Sequence, residues 1–263
     1  MIMPDLLAWA GLGAASIVIG AMVGATGIGG FLIIPVLVQL ADLPIRSAMG
    51  SALVIAAANG AMGAWLFRRR GKVDWAVAKP LVVGSVAFAL IGGWLNGWLP
   101  VPMVVAILGC IMIAGSAANL WKPRALQSPQ SPQEGTPSRT HSRTRFSLLA
   151  AIGALSGLTA GLTGAGGPLV SVPLLNIMAY PVLTAVGASQ MLQLAASLFG
   201  SISYWQDDLI PIAPLTVAIP MHLIGIWLGV KLVHAVDQRL ATQAVAVLGM
   251  AAGIGILMLA VTR

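Results

Sequence analysis

"VGATGIGGFLIIP" (Val23 to Pro35) returns 137 positions later as "AGLTGAGGPLVSVP" (Ala160 to Pro173). Each copy sets four glycines, a threonine and a following proline inside an otherwise apolar stretch. Glycine costs a helix ~1 kcal/mol relative to alanine, so four within a few residues predict a break or a tight turn. What that break means depends on the solvent around it.

With 58% hydrophobic and 8% charged residues over 263 positions, the chain is far too apolar for a soluble domain of this size. It reads as an all-α polytopic membrane protein of eight to ten membrane helices. Apolar stretches run over 5–41, 47–67, 75–99, 101–121, 147–179, 182–205, 210–233 and 240–262, each near or above the ~20 residues that cross hydrocarbon. A barrel would show ~10-residue segments of alternating polarity, and none are present. The apolar N-terminal run is not read as an export signal, because no basic stretch precedes it and it continues too long.

Five of the fourteen Lys and Arg residues (Arg68, Arg69, Arg70, Lys72, Lys79) fall in one short loop. Another five (Lys122, Arg124, Arg139, Arg143, Arg145) fall in the only long polar stretch. The positive-inside rule puts both on the cytoplasmic side, and nothing in this pattern points to nucleic acid. The expected organisation is a first membrane repeat at 1–121, a flexible basic cytoplasmic linker at 122–146 and a second repeat at 147–263. The repeat is carried by a shift of 137 that pairs Gly24 with Gly161, Thr26 with Thr163, Gly27 with Gly164, Gly29 with Gly166, Gly30 with Gly167 and Gly50 with Gly187.

Duplicated membrane halves whose corresponding helices are interrupted by glycine characterise secondary transporters. A break exposes backbone groups, which survive in a membrane only where they are buried or line a cavity. The helix that restarts aims its N-terminal amides and positive dipole end there, and an anion is what such an end binds. Stretch 5–41 as one helix would extend about 55 Å, against about 30 Å of hydrocarbon. Hence 5–23 with 28–41, and 147–162 with 165–179, are expected to form helical hairpins whose tips face each other near the midplane. Hairpins would make the two halves inverted in topology. Close helix packing is the alternative role for glycines, and it suits Gly93/Gly97, Gly225/Gly229 and Gly249/Gly253.

The glycine runs, followed by "GSALVIAAANGAMGAWLF" in one half and "GASQMLQLAASLFGSISYW" in the other, resemble the TauE/SafE family of membrane permeases, the sulfite exporters. The resemblance covers both halves. It implies a transporter of sulfite or small organosulfur and sulfonate anions in the bacterial inner membrane, working by alternating access.

Candidate substrate-binding residues are Thr26, Gly27, Gly29 and Gly30 at the first break and Thr163, Gly164, Gly166 and Gly167 at the second. The threonine hydroxyls either cap a restarting helix or donate to substrate. Ser51, Asn59, Ser189, Gln190 and Gln193 are polar groups on the following apolar segments, expected to turn inward toward a neighbouring helix or the pathway. His222, the one ionisable group near the centre of an apolar segment, is a candidate for proton coupling; a neutral histidine bonded to a main-chain carbonyl is its structural alternative. Arg46 either draws anions to the mouth or anchors at the interface. Six tryptophans near span ends, Trp65, Trp75, Trp94, Trp98, Trp121 and Trp205, read as interfacial anchors, and Cys110 as a small core residue.

No catalytic constellation, metal set or cofactor motif is legible. The nearest approach to a nucleophile and base, Ser156 in "GALSG" with His222, lacks any orienting group, so the chain is not expected to be an enzyme. A metal-cation permease would want carboxylates or thiols within the spans. An anion channel, or a permease for another small solute, remains the alternative. Oligomeric state is not legible.

Overall fold

The computed structural model describes residues 6–69, 71, 73–120, 139–165, 167–232 and 238–262. Gly166, Trp121, Arg263 and residues 122–138 of the expected linker lie outside them. Ten α-helices follow in order: α1 Leu6–Thr26, α2 Ile33–Leu40 (preceded by a 3₁₀ turn, Gly30–Leu32), α3 Ile45–Arg69, α4 Trp75–Trp98, α5 Val101–Leu120, α6 Arg139–Thr163, α7 Pro168–Ile177, α8 Val182–Gln206, α9 Ile212–Leu232 and α10 Gln238–Thr262. Eight of these are long and apolar enough to cross a membrane; α2 with its 3₁₀ turn and α7 are short. Helix α6 begins at Arg139, inside the segment read from sequence as linker.

Helices in lipid gain little from burying apolar surface against each other, so close backbone approach must hold them. Glycines supply it. Along α6, Gly153, Gly157 and Gly161 lie against the carbonyls of Leu81, Ser85 and Ala89 on α4, so close that a methyl group at any of them would collide with main chain. On α1, Gly20 and Gly24 meet the carbonyls of His222 and Ile226 on α9 in the same way. Thus α1, from the first half of the chain, packs along α9 from the second, and α6 packs along α4.

These contacts recur with partners exchanged at the shift of 137 seen in the sequence. Gly20 with His222 matches Gly157 with Ser85; Gly24 with Ile226 matches Gly161 with Ala89; Gly229 with Ala21 matches Gly92 with Leu158. Helices α3 and α8 run antiparallel through the centre, with Gly50 against Tyr204, Gly60 against Leu194 and Gly63 against Gln190. Helices α5 and α10 pair beside them, where Gly253 meets the Gly109 carbonyl at 3.0 Å from the position a Cβ would take.

Both glycine breaks reverse the chain. After the first, Leu40 at the end of α2 comes back beside Gly11 of α1. After the second, Tyr180 comes back to Arg145, whose Nε donates to the tyrosine oxygen at 2.7 Å while the guanidinium lies 5.1 Å from the ring centroid. Exposed apolar side chains, among them Val83, Ile91, Trp94, Leu198 and Val247, form the outer surface. Trp65, Trp75, Trp94, Trp98 and Trp205 are exposed near helix ends. Cys110 is exposed on α5, which corrects its reading as a core residue: in lipid the outside of a helix is as welcome to a small apolar side chain as the inside.

Candidate functional site

The backbone at the first break turns through Gly27 (φ 77°) and Gly29 (φ 125°), and at the second through Gly164 (φ 70°). Side chains other than glycine adopt such angles at a cost, which is why the sequence spends glycine here. Thr26 Oγ1 lies 2.8 Å from the carbonyls of both Met22 and Ile28 and accepts the Ile28 N–H. Thr163 Oγ1 donates to the Thr159 carbonyl at 2.7 Å and accepts the Ala165 N–H. Neither hydroxyl caps the restarting helix, whose N-cap positions carry no side-chain cap bond; each instead ties the last turn of the preceding helix to the residue two positions on.

The expectation that the two turns face each other at the midplane needs correction. Gly27 docks on Val186, five residues into α8, and Gly164 docks on the Met49 main chain, five residues into α3. Because α3 and α8 are antiparallel, the two docking points lie toward opposite ends of the bundle. The reason is length: α1 has 21 residues, about 31 Å, and crosses fully before the chain turns. What converges is the next part of each run. Gly30, opening the first short helix, lies beside the Asn59 side-chain nitrogen near the middle of α3; Gly167, opening the second, lies beside Leu192 and Gln193 near the middle of α8.

The N-terminal ends of two half-length helices therefore stand at similar depth beside the central α3/α8 pair. The first-turn amides of a helix generally lack an intrahelical acceptor; here Leu32 N–H bonds the Gly29 carbonyl, Val170 and Ser171 N–H bond the Gly167 carbonyl, and Pro168 has no N–H, so few of these amides are free. Buried polar side chains on the central pair are Asn59, Ser189, Gln190 and Gln193 near its middle and Ser51 nearer the start of α3, each at most 3% exposed. Gln190 Nε2 donates to the Gly27 carbonyl at 3.3 Å. Among the described residues, Ser51 Oγ, Gln190 Oε1 and Gln193 Oε1 have no hydrogen-bond partner. Unpaired polar atoms are costly in hydrocarbon, and Ser116 Oγ and Ser197 Oγ are further buried examples on α5 and α8.

Sequence reasoning missed three participants. Ser171 lies on α7 with its Oγ 2.7 Å from Ser189 Oγ and 3.0 Å from the Gly167 carbonyl. Asn96 and Tyr204 reach the end of α6: Asn96 Nδ2 donates to the Leu162 carbonyl at 2.7 Å, and the Tyr204 hydroxyl lies 2.9 and 3.3 Å from the carbonyls of Gly161 and Leu162. Each is a polar residue within an apolar run, the same signal that singled out Asn59. A seam too narrow to admit water lies beside the first break, between Thr26, Ile28 and Phe31, Leu169 of α7, and Ser116 and Val245 from α5 and α10.

The comparisons with known proteins enter at this point. A family model described as sulfite exporter TauE/SafE matches residues 12–256. The chain belongs to that family. A "Probable membrane transporter protein" of Methanocaldococcus jannaschii is 25% identical over 245 residues, 85% of this chain and 87% of that protein. One of Bacillus subtilis is 21% identical, covering 86% and 91%. One of Xylella fastidiosa is 31% identical over 116 residues, 41% of this chain. No solved structure matches. As a TauE/SafE chain with eight long apolar helices, the protein is a multi-pass membrane transporter.

His222 and Arg46 stand apart from the central group. His222, 1% exposed, packs on α9 against α1, where its carbonyl meets Gly20 and its ring faces the Ser16 main chain. Arg46, half-buried at the start of α3, donates through Nη2 to the Leu99 carbonyl, while its Nε is unpartnered.

Proposed function

We propose that this protein is a secondary carrier of a small anion, sulfite or an organosulfur or sulfonate anion, working by alternating access between two inverted repeats in a bacterial inner membrane. The observation that carries the reading is the convergence of two helix N-termini, at Gly30 and Gly167, beside Asn59, Gln190 and Gln193. Two positive dipole ends and neutral amide donors replace part of an oxyanion's hydration without a fixed countercharge. Such a site binds strongly enough to select and weakly enough to release.

The reciprocal contacts at a shift of 137 support the inverted repeat, because they relate α3 to an antiparallel α8. The basic residues at the ends of α3 and α9 and at the start of α6 support a cytoplasmic assignment for that face. His222, buried on α9 against α1, is the group through which a proton gradient would act.

The test is uptake of labelled sulfite into liposomes holding the purified protein, with sulfate and alkylsulfonates as competitors and with or without a pH gradient. Saturable uptake reduced by the competitors is expected, and a gradient effect that His222→Gln abolishes. Flux equal to that of empty liposomes, from protein that elutes as a single folded species, overturns the anion reading.

A further inference from the structure

The two breaks are not held alike. At the second, the carbonyls of Gly161 and Leu162, left without helical donors where α6 ends, are taken by Tyr204 from α8 and Asn96 from α4. The positions one repeat away from Tyr204 and Asn96 are Phe67 and Val233, neither of which carries a donor. Packing differs in the same sense. Gly200 of α8 rests on Gly161 of α6, and Gly93 of α4 meets the Gly200 carbonyl and Ser203, so α4, α6 and α8 close together. The counterpart approach, α9 to α3, is much slighter, and the Gln190 side chain fills the space at Gly63, the counterpart of Gly200.

On the same face Arg46 ties the start of α3 to the Leu99 carbonyl between α4 and α5. A cavity of about 270 Å³ opens between the ends of α4 and α8, lined by Trp94, Gly97, Trp98, Ser203, Gln206 and Asp207. Asn96 and Tyr204, each 1% exposed, lie on the inward faces of the same two helix ends. Ser197, earlier on α8, is fully buried with its Oγ unpartnered among the described residues.

We propose that Tyr204 and Asn96 are a latch that holds this face of the carrier closed, and that releasing the Gly161 and Leu162 carbonyls is the step that opens it. The inference rests on the alternating-access reading and adds to it the residues that set the balance between the two states. Among the described residues the first break is held differently, by Gln190 Nε2 on the Gly27 carbonyl at 3.3 Å, so the Tyr204 and Asn96 bonds are particular to the second break and favour the conformation closed on the side of the α4–α5 and α8–α9 loops. Tyr204 and Asn96 act on the pathway through α6 and are positioning residues, with no contact to the anion.

The experiment reads conformation directly. Ser197→Cys in a Cys110→Ser background is labelled with a water-soluble maleimide in nanodiscs, in the parent and with Tyr204→Phe or Asn96→Ala added. Tyr204→Phe keeps the ring and removes only the hydroxyl; Asn96→Ala removes one bond and leaves the tyrosine in place, so a folded variant is available if either alone misfolds. Labelling at least fivefold faster, with an unchanged elution profile, is expected. Unchanged labelling in a folded variant overturns the latch. Because the readout does not depend on flux, faster labelling in protein that carries no sulfite leaves the latch standing and counts only against the transport reading.

Discussion

Glycine does two different things in this chain, and the distinction is made residue by residue. Gly157 is helical and lies against the Ser85 carbonyl, whereas Gly27 bends the chain at φ 77° and Gly255 faces open space. Gly157→Ala is therefore expected to lower thermal stability sharply, by about 2 kcal/mol or more where main chain must move. Gly255→Ala should leave stability unchanged or raise it by up to ~1 kcal/mol through helix propensity. Melting curves of the two variants check the contrast, and equal melting points would contradict it. Gln190 offers a second residue-scale test. Its repeat counterpart is Leu53, so Gln190→Leu is sterically tolerable in kind but loses the bond to the Gly27 carbonyl. Sulfite flux should fall about tenfold, equivalent to about 1.4 kcal/mol, while the protein still elutes as folded. That glycines matter was legible in the sequence; which of them bend and which pack was not, because both roles ask only for a missing Cβ.

Helix limits were legible to within a few residues except at the start of α6, which begins at Arg139 rather than 147, since in a membrane the apolar length, the glycine breaks and the prolines leave little freedom. The depth of the turns was not. Sequence reasoning shared stretch 5–41 between two similar helices, whereas the structure gives α1 a full crossing and leaves a short α2 for the return. The error came from placing the break at the first glycine of the run: Gly24 remains helical and the reversal waits for Gly27. Docking of that reversal on α8 has a direct test. Gly27→Ala sets a methyl group 2.5 Å from Val186 Cγ1 and also strains a positive φ. Val186→Ala in addition removes the collision and leaves only the strain, ~1–2 kcal/mol. The double variant should therefore regain much of the transport and thermal stability lost in Gly27→Ala. A double variant no better than the single would mean that the turn does not seat on α8 as described.

At the scale of the whole molecule, the repeat was legible but its interleaving was not, since a sequence match says which segments correspond and nothing about which ones touch. The structure pairs α1 with α9 and α6 with α4, so neither half keeps its own first helix. Fragments 1–121 and 147–263, expressed separately, should each be degraded or aggregate, and should co-purify when expressed together. Recovery of either half alone as a folded, monodisperse species would contradict the interleaved packing. Interleaving also suits the proposed carrier, in which motion of one half would displace helices seated in the other. The measurement that bears most directly on this is counterflow. Liposomes preloaded with unlabelled sulfite are diluted into trace labelled sulfite, and the label inside is followed with time. A site exposed alternately to the two sides predicts transient accumulation of label above its equilibrium level, lost in Gln190→Leu; smooth filling without overshoot in the parent protein would contradict a carrier.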